Sequence, residues 1–439
     1  MTVNEGISTM KTVYTVFCTD VIHEGHRNII EQAQNYGRVV IGALSDRAAI
    51  RFNRFPTVPL SERVRMYQNL EGVDEVIVQD DIMYDRVIAS LHPDYVLHGD
   101  NWKSGPEAAI RANVLSLLEK YGGELIEIPY TYNPTVRKID RQLMEKLAMP
   151  EYRRRRLRQL LSLTTVKVME AHSGLTGLIV EKTVVEHDGR LDQFDAMWVS
   201  SLCDSTAKGK PDIELVDMSS RLRTIDDIME VTTKPIILDG DTGGLSEHFV
   251  YNVRTLERMG VSAVIIEDKT GLKKNSLFGT EVEQTQADPM EFSAKIRAGK
   301  QAQLTDDFMI IARCESLILE RGMEDALMRC HSYVDAGADG IMIHSRKKDP
   351  SEILSFCDQF REKDPKTPIV VVPSSFNTIT EEELARHGVN IIIYANQLTR
   401  SAFPAMKKTA EDILRYHRAY EADAQLMPIN EIITLIDEL

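Results

Sequence analysis

PIILDGDTGG, Pro235 to Gly244, and AVIIEDKTGLKKNS, Ala263 to Ser276, share one pattern: a short apolar run that breaks off into acidic and glycine-rich sequence. A few consecutive β-branched residues, buried on both faces, read as a strand of parallel sheet, and the polar tail marks the strand's C-terminal end. The pattern recurs in TVKVMEA from Thr165, AMWVSS from Ala196, FMIIARCE from Phe308, GIMIHS from Gly340, PIVVVP from Pro368 and NIIIYA from Asn390, each followed by a helical stretch. Eight β-α units in roughly 240 residues predict a (β/α)8 TIM-type barrel, whose chemistry gathers at the C-terminal rim of its strands. Acids, bases and amides do collect there: Glu170, Ser200, Asp239, Asp241, Glu267, Asp268, Arg313, Glu315, His344 and Asn396. Packing alone would not put them on one rim.

Upstream, TVYTVF (Thr12–Phe17), RVVIGAL (Arg38–Leu44), EVIVQ (Glu75–Gln79), YVLHG (Tyr95–Gly99) and ELIEI (Glu124–Ile128) alternate with helical stretches. That alternation predicts a five-stranded Rossmann-like α/β domain. Between the two units, PTVRKIDRQLMEKLAMPEYRRRRLRQLLS, from Pro134, is basic and free of strand patterning. The changes in character divide the chain into residues 1–140, a helical basic connector at 141–160, and a barrel with C-terminal helices at 161–439. The chain is acidic overall, with 52 Lys and Arg against 67 Asp and Glu and a formal net charge of -15. Nucleic acid is therefore not expected as a partner, and Arg153 to Arg156 read as a solvated helix face or subunit contact rather than a phosphate patch.

The 439 residues are 43% hydrophobic and 27% charged, which fits a globular protein and excludes a disordered or fibrous one. No apolar run reaches the roughly 18 residues of a membrane span, and the first residues lack a secretory leader, so the expected location is the cytoplasm. The five cysteines are scattered without a CxxC pair, which argues against a disulfide framework or a zinc site.

Asp239 and Asp241 end one barrel strand and Glu267 and Asp268 the next. Alternate strand residues share a side, so the two aspartates are expected to point at one spot. Carboxylates converging without His or Cys ligands favour a hard cation, Mg²⁺ or Mn²⁺, that keeps several waters. Arg313 and His344 add donors for an anion beside it, and a guanidinium fork suits a carboxylate or phosphoryl group. The polar loop Glu267 to Ser276 reads as a lid that lowers Lys273 and Asn275 over that anion. In the first domain, His23 and His26 sit three apart at a predicted helix start, where free N–H groups and two imidazoles suit a phosphate.

MEAHSGL, AMWVSSL, ILDGDTGG, IIEDKTGLKKNS, IIARCES and IMIHSRKKDP, in this order on successive strands, resemble the phosphoenolpyruvate mutase branch of the isocitrate lyase superfamily over about residues 155 to 425. Isocitrate and methylisocitrate lyases carry a KKCGH-type loop, whereas this chain has no cysteine between Cys203 and Cys314. Phosphonopyruvate hydrolases share most of the lid, and Asn275 is the residue that favours a mutase. The resemblance implies Mg²⁺ near Asp239, with Asp241 and Glu267 positioning its waters. It implies that Trp198, Ser200, Ser201, Leu202 and Ser276 hold the pyruvyl group of phosphoenolpyruvate or phosphonopyruvate. Arg313 and His344 would contact anionic groups, and Asp212, Lys273 and Asn275 the phosphoryl group. Ser201 and GGLSEHF depart from the Gly and GYGN that mutases often carry. Relatives of the barrel are commonly tetramers, so a homo-oligomer, tetramer or dimer, is implied, with exchange of helices after Thr399.

The first domain resembles the HxGH nucleotidyltransferases, particularly the glycerol-3-phosphate cytidylyltransferase group, over about residues 11 to 140. His23, His26 and HGDNW at His98 to Trp102 carry the likeness, with SER at Ser61 to Arg63 where that group has an ExR segment. The family's RTxGIST motif is replaced by YTYNPTV, Tyr130 to Val136, leaving Thr131 and Thr135 as hydroxyl donors. The resemblance implies nucleotide contacts from Phe17, Asp20, His23, His26, Arg63, Asp100, Trp102, Thr131 and Thr135. With the domain order of bifunctional phosphonate-biosynthesis enzymes, it implies CTP and a small phosphonate, 2-hydroxyethyl- or 2-aminoethylphosphonate, as substrates, giving a CMP adduct and pyrophosphate. The alternative is a mutase whose first domain only binds nucleotide or builds the oligomer.

Overall fold

A computed structural model describes residues 10–436 apart from 52–55, 104–106, 130–137, 139–140, 143–144, 188–189 and 272. Thr131 and Thr135 lie outside the described residues. The first five strands are β1 (Thr12–Phe17), β2 (Arg38–Leu44), β3 (Glu75–Gln79), β4 (Tyr95–Gly99) and β5 (Glu124–Ile128), in a parallel sheet of order β3-β2-β1-β4-β5. Their chain order reverses between β1 and β4, which pair only through Val13–Tyr95 and Tyr14–Val96. Beyond those pairs the two C-terminal ends are no longer joined, and such a switch point is where doubly wound sheets open a ligand crevice.

The second unit is a closed parallel barrel of eight strands in sequential order. They are β6 (Val166–Glu170), β7 (Ala196–Val199), β8 (Ile236–Asp239), β9 (Ala263–Glu267), β10 (Met309–Cys314), β11 (Gly340–Ile343), β12 (Ile369–Val371) and β13 (Ile391–Tyr394). All eight strand-like runs thus form strands of one barrel. Val168, Trp198, Ile237, Ile265, Ile311 and Met342 pack together inside it, while Val199, Leu238, Ile266, Ile310 and Ile341 pack against the helices outside. A period of two then carries Glu170, Ser200, Asp239, Glu267, Arg313 and His344 onto the inner side at the C-terminal end.

The expectation for Arg153 to Arg156 is overturned. These residues sit in the helix Pro150–Leu161, where Arg153, Arg154 and Arg156 are buried and only Arg155 is exposed. Leu157 and Leu160 of this helix join the interior cluster of the barrel. Arg153 donates to the carbonyls of Lys234 (2.9 Å) and Met229 (3.2 Å), Arg156 to that of Thr233 (2.7 Å), and Arg154 to that of Glu257. Buried carbonyls need donors, and guanidinium groups supply them in quantity. Burial lowers the Arg153 pKa to about 10 and that of Arg156 to about 9.

Candidate active sites

The barrel mouth holds about 550 Å³ of open space, lined by Trp198, Ser200, Ser201, Leu202, Arg313 and His344. Asp212, Asp239, Lys273, Asn275 and Ser276 line it too, so eleven residues expected from the sequence meet at one recess. Two expected residues stand just behind. Asp241 accepts hydrogen bonds from Lys273 and from Arg221 (2.8 Å), and Glu267 lies 3.5 Å from Arg313 and 3.2 Å from Lys269. Asp239 and Asp241 do converge, but not by strand alternation. Asp241 lies past the end of β8 with φ at 53°, and its N–H donates to Asp239 Oδ1 (3.2 Å). A turn, rather than the pleat, brings the two together.

The loop after β9 lies down on this mouth. Lys273 is 4% exposed and Ser276 3%. The Lys273 ammonium donates to Ser201 and Asp241 and stands 3.3 Å from Asp212 and 4.0 Å from Asp239. Asn275 Nδ2 donates to Asp212 (3.0 Å), while its Oδ1 accepts from the N–H of Leu277 (3.0 Å). Ser276 donates to Glu315 and accepts from Arg313 (2.6 Å). The closure is tied by Lys269, whose ammonium reaches the Lys274 carbonyl (2.9 Å), Gln284 (3.0 Å), Ser276 (3.1 Å) and the carboxylate of Glu315 (3.3 Å). Nothing in the residue pattern points to Lys269's part, or to Arg221's. The first sits in the quoted loop without a visible partner, and the second is one arginine among several on the helix Met218–Met229.

Electrostatics sort these groups. Burial alone would raise the pKa of Asp239, but Lys273, Arg221 and Arg313 outweigh it and hold the carboxyl well below the usual range. For Glu267 burial prevails over Arg313 and Lys269, and its pKa rises to about 7. Burial, helped by Arg313, lowers the pKa of His344 against the pull of Glu315, so the ring is neutral at pH 7. Arg313 donates to His344 Nδ1 (3.1 Å), which leaves Nε2 as that ring's N–H donor. Both carboxylate oxygens of Glu267 are buried without a hydrogen bond, and every candidate ligand is an oxygen. Both features fit a hard cation. Among the described residues no three His, Cys, Asp or Glu side chains form a ready-made cage, so such an ion would keep waters between itself and most of the acids.

At the first sheet, His23 caps the helix Glu24–Gln34 and His26 lies in its first turn. His23 Nδ1 accepts from the N–H of Gly25 (3.1 Å) and His26 Nδ1 from that of His23 (3.5 Å). Each neutral ring is thereby fixed with its proton on Nε2, the tautomer that donates to an anion. The rings lie 3.9 Å apart, and buried Phe17 meets His26 edge to face at 4.9 Å. Asp20 accepts from the Thr57 N–H and hydroxyl (2.7 Å for the latter). Asp100 opens the short turn Asp100–Lys103, and Trp102 is buried there, stacked on His98 at 3.8 Å with its Nε1 donating to Glu127. Arg63 is fully buried and donates to the carbonyls of Leu44 (2.8 Å) and Val58 (3.1 Å) and to Asp46, which braces the chain beside β2.

Residues 157–414 match the family model for phosphoenolpyruvate phosphomutase. The chain belongs to the phosphoenolpyruvate phosphomutase family. Residues 16–144 match the cytidylyltransferase-like model, so the family's barrel is joined here to a second kind of domain. The phosphoenolpyruvate phosphomutase of Tetrahymena pyriformis is 34% identical over 272 residues, 62% of this chain and 86% of that protein. The solved phosphomutase of Streptomyces platensis subsp. rosaceus is 32% identical, with a TM-score of 0.59, covering 64% of this chain and 93% of its own. A phosphonopyruvate hydrolase solved with oxalate and Mg²⁺ is similar to nearly the same degree, 33% identical with a TM-score of 0.57 over 64% of this chain and 94% of its own. Among the described residues no helix is long and apolar enough to cross a membrane.

Proposed function

We propose that the barrel interconverts phosphoenolpyruvate and 3-phosphonopyruvate, and that the first domain transfers CMP from CTP to a small phosphonate. The observation that carries the first reading is the closed loop, which brings Lys273, Asn275 and Ser276 onto Asp212, Ser201, Arg313 and Glu315. In the mutase direction toward phosphoenolpyruvate, the C3–P bond breaks and the phosphoryl group bonds to the C2 oxygen, with no atom gained or lost. Such a transfer passes through a loose, metaphosphate-like species, so the protein's work is to hold both fragments and exclude water. Asp239, Asp241 and Glu267 are the residues that would hold Mg²⁺, whose charge would offset that of the pyruvate enolate. Ser200, Ser201 and Leu202 at the helix start after β7, with Trp198, orient the pyruvyl group. Arg313 and the Nε2–H of His344 hold its anionic oxygens. Lys273, Asn275 and Asp212 surround the migrating phosphoryl group, and the loop keeps water from capturing it.

Hydrolysis is the second reading, favoured by the similarity to the solved hydrolase. In the first domain, a phosphonate oxygen attacks the α-phosphorus of CTP and pyrophosphate leaves, with the Nε2–H groups of His23 and His26 donating to the phosphates. Phe17, Asp20, Asp100 and Trp102 shape that site. The helix Gln397–Tyr416 exposes Phe403, Met406 and Leu414, an apolar surface that supports a homo-oligomer, dimer or tetramer.

The two activities are separable in a coupled assay. With Mg²⁺ and phosphonopyruvate, the protein is expected to produce phosphoenolpyruvate, to stop on chelation and to resume when Mg²⁺ is restored. Pyruvate formed without phosphoenolpyruvate selects hydrolysis. CTP with a phosphonate is expected to release pyrophosphate, and no release with either candidate leaves the first domain as a binding module.

A further inference from the structure

Where mutases often carry Gly, this chain has Ser201, the first residue of the helix Ser201–Ala207, and its hydroxyl lies between two charged groups from different parts of the site. It donates to Asp239 Oδ2 (2.8 Å) and accepts from the Lys273 ammonium. The Ser201 N–H points at the same Asp239 oxygen, at 3.3 Å. Both donors of the residue are therefore directed at Asp239, and a hydroxyl has no second proton to offer an anionic substrate. Lys273 itself stands 4.0 Å from that oxygen, too far for a hydrogen bond. The hydroxyl fills the gap.

Asp239 ends β8 and is one of the acids proposed for Mg²⁺, whereas Lys273 belongs to the loop after β9. At 4.0 Å the two attract through charge alone, which sets no direction, and a bridging hydroxyl supplies one. All three side chains are buried, where a directed bond is stronger than at the surface. Resting on the mutase reading, we propose that Ser201 is a positioning residue whose hydroxyl ties the closed loop to Asp239, so that the loop shuts in register with the acids. It serves the pyruvyl group through those two partners rather than by touching it. The other Lys273 contacts, to Asp241 and Asp212, keep the ammonium nearby without fixing the loop to Asp239.

The Lys274 carbonyl, held by Lys269 at 2.9 Å, belongs to a peptide bond that trypsin cuts only when the loop opens. In the ligand-free full-length protein, Ser201→Ala is expected to speed that cut about tenfold, with tryptic sites outside the loop unaffected. In a Lys273→Met background the same substitution is expected to add nothing, because the bridge is already gone. With Mg²⁺ and phosphonopyruvate, kcat is expected to fall about tenfold while KM stays near that of the parent protein. Cleavage at the parent rate overturns the assignment, and so does an equal acceleration in the Lys273→Met background. A raised KM with parent-like cleavage also overturns it, since that would put the hydroxyl on the substrate. Failure of the mutase reading shows separately, as phosphonopyruvate that yields no phosphoenolpyruvate, and the cleavage rates then decide the tie by themselves.

Discussion

Asn275→Ala is expected to lower mutase turnover by about a hundredfold or more, with Mg²⁺ affinity close to that of the parent protein. Asn275 makes two contacts, to Asp212 and to the Leu277 N–H, and touches none of the acids proposed for the metal. Losing it removes one donor from the phosphoryl side of the mouth and one anchor of the loop at the same time. Water gains access, so the residual reaction should release a larger share of pyruvate and orthophosphate. Turnover and product ratio, with Mg²⁺ affinity measured separately by titration, check this. Unchanged turnover would remove the loop from the mechanism.

Lys273→Met is expected to be more severe, with turnover reduced by about a thousandfold and Mg²⁺ bound at least as tightly as before. The ammonium is buried among Asp212, Asp239 and Asp241, which hold its pKa well above the ordinary lysine value despite the opposing effect of burial. Without it those acids lose one counter-charge, Arg221 and Arg313 staying in place, and a divalent ion is the group that can make up the difference. A phosphoryl-holding role and a metal-holding role therefore predict opposite changes in metal affinity. Because the methionine chain is apolar in a polar setting, the thermal midpoint should be recorded alongside. Weaker Mg²⁺ binding with an unchanged midpoint would contradict the assignment.

What the sequence disclosed follows from how local each cause is. The eight barrel strands were legible because a strand buried on both faces must be apolar throughout, and each run ended where its polar tail began. Parity along β8, β9, β10 and β11 then placed Asp239, Glu267, Arg313 and His344 without any long-range information. Lys269 and Arg221 were not legible, since their meaning lies in partners far off along the chain, Glu315 and Gln284 for one and Asp241 for the other. The arginines of the helix Pro150–Leu161 misled for a related reason. A charge run normally faces water, and nothing nearby in sequence announces that a barrel floor is waiting with unpaired carbonyls.

Phosphorus NMR of the whole protein with Mg²⁺ and phosphonopyruvate tests the barrel's chemistry most directly. The account predicts that the phosphonate resonance gives way to the ester resonance of phosphoenolpyruvate, with orthophosphate at background. Orthophosphate accumulating in place of the ester, or a phosphonate resonance that never changes, would contradict it.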